Sequence, residues 1–337
     1  MGFMLKRDSL DCLLEAWAKD YDIYAPVQFA QGGRCSDTAC VRYGRVRHAE
    51  EIVFAQRSEN SFKEILRPVM ETLFFFTENE VKTADAPRKG AIIFLRSCDL
   101  SAVQRLDAMY LENGPEDVYY QRLRQKVRFV LMGCSEAFEH CFCVSMGTNK
   151  AENYDLSIDY TDDGYLLDCK TEEWNPLLQK LAKQQLPVQP AYVRECPVKV
   201  NVPDNLSAKV AQSKLWESYD KRCEGCGRCN FVCPTCTCFT MQDLFYTENG
   251  KAGERRRVWS SCMVDGFTDV AGGSYRKQQG ERMRFKVLHK VLDFRQRFGY
   301  DMCVGCGRCD AVCPEYISFA EAVNCLGQAM KEAAENE

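Results

Sequence analysis

The chain has 337 residues, a formal net charge of −4 and 21 cysteines. That length accommodates two domains, and the mild acidity excludes a general electrostatic pull toward nucleic acid. The cysteines are clustered, and the start turns charged at Lys6, Arg7 and Asp8. No stretch nears the roughly eighteen apolar residues of a membrane span, so the reading is a protein of a reducing cytoplasm rather than a disulfide-rich secreted one.

In chain order, residues 8–20 predict a helix. Asp8 or Ser9 can cap it, and Leu10, Leu13, Leu14 and Trp17 follow helical spacing. Cys12 is expected to pack there as a small hydrophobe. Gly32, Gly33 and Arg34 read as a turn. Cys35 and Cys40 have no third thiol nearby and read as unligated.

An α/β pattern follows. Residues 91–95 form an apolar run expected to be a buried strand, and Asp99 opens an amphipathic helix through Val103, Leu106, Met109 and Tyr110. Residues 127–132 read as a second strand. If the two are parallel neighbours, their C-terminal ends share one edge of the sheet, where such folds place their sites. Cys98 lies just past the first strand, Cys134 just past the second, and Cys141 and Cys143 in the next loop. These thiols are read as a third [4Fe–4S] centre. The alternatives are ordinary buried cysteines or a zinc site that includes His140.

Residues 155–168 predict a hairpin turning at Asp163-Gly164, and Trp174, Leu177, Leu178 and Leu181 mark a helix. Pro187, Pro190, Pro197 and Pro203 punctuate a stretch with few periodic apolar residues, which places a domain boundary near residue 205. The expected class is α+β: an N-terminal α/β-type domain with a mixed sheet over 1–205, and a C-terminal α-helical ferredoxin-like domain over 206–337.

The C-terminal part carries the most specific signal. Cys223, Cys226, Cys229 and Cys233-Pro234 repeat as Cys303, Cys306, Cys309 and Cys313-Pro314. Both copies read C-x2-C-x2-C-x3-C-P, the run by which two-cluster ferredoxins hold [4Fe–4S] centres, the fourth Cys serving the other cluster. The assignment is Cys223, Cys226, Cys229 with Cys313, and Cys303, Cys306, Cys309 with Cys233. Glycines within each run let the backbone curl around the cage. Cys236, Cys238 and Cys262 are surplus to this set; they either substitute for a ligand or shield a cluster, and the second is the reading taken. Cys169, Cys196 and Cys325 stand alone and are assigned no chemistry. The basic residues Arg255, Arg256, Arg257, Arg282, Arg284, Lys286 and Lys290 read as a solvated face or a docking surface for an acidic redox partner.

Several of these segments closely resemble the family of iron–sulfur electron-transfer subunits found in anaerobic sulfite reductases. They are residues 96–100 around Cys98, 141–149 from Cys141 to Asn149, 233–238, 257–262 and the second ferredoxin run. The wider family includes the iron–sulfur β subunits of sulfhydrogenases and cytosolic [NiFe] hydrogenases. The resemblance implies an electron-transfer role, with no catalytic residue in this chain. One partner subunit oxidises NADH on a flavin, and another reduces sulfite to sulfide at a sirohaem. It also implies that Cys98, Cys134, Cys141 and Cys143 are ligand positions. The residues agree with this division of labour. No G-x-G-x-x-G marks a nicotinamide site, and the only histidines are His48, His140 and His289. The rival readings are a hydrogenase or sulfhydrogenase β subunit or, from another class, a zinc-stabilised scaffold without a redox role.

Overall fold

The computed structural model describes residues 1–33 and 38–335. The chain opens with β1 (Gly2–Leu5), α1 (Arg7–Trp17), β2 (Tyr21–Phe29) and β3 (Cys40–Arg45). A short helix α2 (Lys63–Leu66) precedes β4 (Met70–Phe76) and β5 (Val81–Thr83). The expected strand and helix are β6 (Gly90–Leu95) and α3 (Ser97–Leu111), followed by α4 (Val118–Arg124) and β7 (Val127–Met132). The hairpin is β8 (Leu156–Thr161) with β9 (Gly164–Cys169), and α5 (Asn175–Leu181) and β10 (Gln184–Gln185) complete this part.

These strands build an eight-stranded mixed sheet in the order β10-β1-β9-β8-β7-β6-β2-β3. Strands β2, β6, β7 and β8 run parallel to their neighbours in that series. The apolar runs of β6 and β7 follow from burial on both faces. Ile92 and Phe94 pack with Leu10, Leu13, Leu14 and Trp17 of α1, while Ile93 and Leu95 pack with Val103 and Leu106 of α3 on the opposite side. Cys12 does not join that core. It is exposed on α1, because the buried stripe of the helix runs through Leu10, Leu13, Leu14 and Trp17 and leaves position 12 on the outer face.

The second half begins with irregular chain and 3-10 turns to Tyr219, then α6 (Arg228–Phe231). It adds a long antiparallel pair, β11 (Phe239–Phe245) and β12 (Gly253–Trp259). Helix α7 (Gln279–Leu288) continues through a π turn (His289–Asp293) into α8 (Phe294–Phe298). Helices α9 (Arg308–Ala311), α10 (Phe319–Asn324) and α11 (Leu326–Glu335) close the chain. This half is therefore not wholly helical. Its strand β12 also pairs with β4, giving a four-stranded sheet β11-β12-β4-β5 that crosses the boundary expected near residue 205. No local pattern could announce a partner so distant in sequence.

Among the described residues no helix is long and apolar enough to cross a membrane.

Candidate iron–sulfur sites

The two cysteine runs fold alike. Each threads three thiols over a loop whose two glycines have positive φ: Gly225 (65°) and Gly227 (74°) in the first, Gly305 (64°) and Gly307 (68°) in the second. A side chain would be strained there, which is why glycine fills both positions in both copies. The second glycine of each pair caps the one-turn helix that carries the third thiol, α6 or α9.

Each loop then faces a cavity completed by the other copy. Cys223, Cys226, Cys229 and Cys313 line one, and Cys303, Cys306, Cys309 and Cys233 line the other. The structure thus brings together the two sets of residues expected from the crossed ferredoxin pattern. Cys229 and Cys309 border both cavities, so the two sites share a wall. Backbone N–H groups already aim at the sulfurs: Gly225 donates to Cys223 Sγ at 3.4 Å and Ile317 to Cys313 Sγ at 3.3 Å. Among the described residues no His, Cys, Asp and Glu group gathers tightly enough to hold a single metal ion. The thiols ring cavities instead.

The charges around the cavities test whether an iron–sulfur cage fits. Lys286 borders both cavities, Lys290 borders the second, and both are buried. Lys290 Nζ lies 3.4 Å from Cys233 Sγ and donates to Thr235 Oγ1 at 3.0 Å. Lys63, also buried, donates to the Cys236 carbonyl at 2.9 Å and sits 4.1 Å from the centre of the Trp259 ring. None of the three pairs with a carboxylate among the described residues. Burial drags the Lys63 ammonium down to about 8. Burial opposes Lys286 and Lys290 as well, but nearby thiolates (Cys229 and Cys309 for one, Cys233 and Cys236 for the other) hold both above the ordinary lysine value. Buried cations need a counter-charge, and a cage on four thiolates is an anion; the residues present fit it.

For Arg257, Arg282, Lys286 and Lys290 this overturns the reading of the basic region as a solvated face or docking surface. Lys286, Lys290 and Arg282 are buried, and Arg257 is buried in a pair with Glu71 and Asp117. Of the Arg255–Arg257 run, Arg255 keeps to the surface, opposite Asp243 at 2.7 Å. A signal existed: Met283, Val287 and Val291 mark the inner face of this helical stretch, and Lys286 and Lys290 fall on it.

The N-terminal thiols meet beside the second cavity. Cys98 starts α3, at the C-terminal edge of β6, and Cys134 follows β7. Cys98, Cys141, Cys143 and Cys196 pack in one apolar group with Val193. Cys196, expected to stand alone, has its Sγ 3.7 Å from Cys143 Sγ. Nothing in its Pro-rich, aperiodic surroundings signals this. Cys134 is next to the group, its own thiol donating to the Glu136 carbonyl at 3.2 Å. His140 joins no ligand set; its carbonyl abuts Gly307, where a Cβ would come within 2.1 Å.

The 141–143 loop is fastened to the second ferredoxin loop. Phe142 N–H donates to Gly305 O at 2.8 Å, and Thr148 Oγ1 to Val304 O at 2.6 Å. Arg57 reaches the Cys306 carbonyl and lies 3.6 Å from Cys141 Sγ. Arg308 clamps Asp99, the neighbour of Cys98, at 2.6 and 2.9 Å, with Ser58 completing the fork.

The remaining cysteines divide. Cys236 is buried beside Cys233 and Lys63, while the buried Cys262 and half-buried Cys238 lie against each other. Asn230 donates to Cys262 Sγ at 3.1 Å. Cys40 donates to Gly32 O at 3.0 Å and Cys169 to Thr171 O at 3.2 Å, both satisfied locally. Cys325 is half-buried. Cys35 and Arg34 lie outside the described residues.

Residues 222–317 match the 4Fe-4S dicluster domain family. Over 321 residues the chain is 30% identical to sulfhydrogenase 2 subunit beta of Pyrococcus furiosus, an alignment covering 84% of this chain and 91% of that protein. No solved structure matches.

Proposed function

The chain belongs to the family of iron–sulfur β subunits represented by that sulfhydrogenase protein, and from this premise we propose that it relays electrons between partner subunits of an oxidoreductase complex. The observation that carries the reading is the shared wall: Cys229 and Cys309 border both cysteine-lined cavities. In this reading Cys223, Cys226, Cys229 and Cys313 hold one [4Fe–4S] cluster, and Cys303, Cys306, Cys309 and Cys233 a second. The nest of Cys98, Cys141 and Cys143, with Cys134 beside them, holds a third. Cys236, Cys238 and Cys262 shield the second. The clusters supply one-electron carriage. The protein sets their potentials by burial, by N–H groups aimed at sulfur and by the ammonium groups of Lys286, Lys290 and Lys63. The third nest is bonded to the second loop, which makes a continuous order of three sites.

For the complex itself, the sulfite reductase reading rests on the motifs around Cys98, Cys141–Cys143 and Cys262. A flavin subunit then feeds electrons from NADH, and a sirohaem subunit spends them on sulfite. A second reading, the β subunit of a hydrogenase or sulfhydrogenase, is favoured by the relative's name. The purified complex decides between them, assayed with NADH and sulfite and, in parallel, with hydrogen and a dye. In a sulfite reductase, Cys226→Ser and Cys306→Ser each leave NADH–dye activity intact and abolish NADH-dependent sulfite reduction. Undiminished sulfite reduction in either variant contradicts the relay.

A further inference from the structure

We propose that Cys196 is the fourth ligand of the N-terminal centre, in the place that its spacing would give to Cys134. The inference rests on the reading that the N-terminal thiols hold a cluster, and it concerns which residues do so.

Three observations carry it. First, the apolar group that encloses Cys141 and Cys143 contains Cys196 and Cys98 but not Cys134. Second, the Cys196 and Cys143 sulfurs are 3.7 Å apart, whereas the Cys134 thiol is engaged by a carbonyl two residues ahead, in its own turn. Third, the segment carrying Cys196 is tied down along its length over the nest. Cys134 N–H donates to Ala191 O at 2.9 Å, Asn149 Nδ2 to Val193 O at 2.8 Å, and Val200 N–H to Ser145 Oγ at 3.1 Å. A thiol held that firmly and 9% exposed stands at the wall of the nest, placed to reach a shared group once the cage parts its sulfur from that of Cys143. Cys134 contributes its backbone N–H to the strap that places Cys196, which explains its position beside the nest without making it a ligand.

The test uses the full chain prepared anaerobically, with iron quantified and spectra recorded at low temperature. Three cubanes give roughly twelve iron atoms per chain. Cys196→Ser is expected to lose about four of them and the third signal, with both ferredoxin-type signals kept; Cys134→Ser is expected to keep all. The reverse pattern, or full iron in Cys196→Ser, overturns the assignment. Should Cys196→Ser not fold, Cys196→Asp retains an anionic ligand: an altered third signal supports the assignment, and an unaltered one overturns it. Roughly eight iron atoms in the unsubstituted chain would remove the third centre and this inference with it, leaving the two-cluster relay standing.

Discussion

The two cysteine runs are near-copies in sequence and in loop geometry, yet they live in different surroundings. In the first, Cys226 and Arg228 are exposed. In the second, Cys306 is 7% and Arg308 only 1% exposed, because the 141–143 loop, Arg57, Ser58 and Asp99 of the N-terminal half pack directly upon that loop. The repeat specifies a cage; what packs on the cage specifies its role. The outer copy faces solvent and suits exchange with a partner, whereas the inner one is wired to the N-terminal nest through Gly305, Gly307 and Arg308.

The largest effect that could break this comparison lies in the matched arginines. Arg308→Met strips the partner from the fully buried Asp99 and is expected to cost about 3–5 kcal/mol, read as a large fall in Tm. Arg228→Met at the equivalent exposed position is expected to change stability by roughly 0.5 kcal/mol or less. Equal effects would mean that the two loops are not differently docked. A smaller effect sharpens the comparison electrostatically. Lys290 contacts only the inner site, whereas Lys286 borders both. Lys290→Met should lower the inner cluster's reduction potential, on the order of 100 mV, since an ammonium charge near a thiolate favours the more negative, reduced state. The outer cluster should move far less. Lys286→Met should lower both. Redox titration followed by low-temperature EPR reads each site; an unmoved inner potential in Lys290→Met would contradict the role given to the buried lysine.

Much of this is legible in the residues, for physical reasons that can be named. The thiol spacing of each run is local, so the spacing alone announces both cysteine runs. Strands β6 and β7, helix α3 and the hairpin at Gly164 announce themselves by apolar runs, helical spacing and turn chemistry acting over a few residues. What stays hidden depends on long-range partners. Strand β12 finds β4 across more than half the chain, and Cys196 finds Cys143 from within a segment whose prolines read as linker. Lys286 and Lys290 mislead in a different way. Lysines on a helix are ordinarily solvated, and only an anionic cage makes their burial favourable. The burial of Arg308 is hidden for a similar reason: it depends on a distant carboxylate, and its counterpart in the first run is at the surface.

Two adjacent cubanes in the paired cavities are expected to exchange electrons across Cys229 and Cys309. EPR of the fully reduced chain, isolated without air and with its iron counted, tests it most directly. Broadened signals are expected from spins that interact through the shared wall, resolving to a simpler spectrum in Cys226→Ser. Two sharp, independent signals would contradict the adjacency, and folded protein without iron would contradict the clusters themselves.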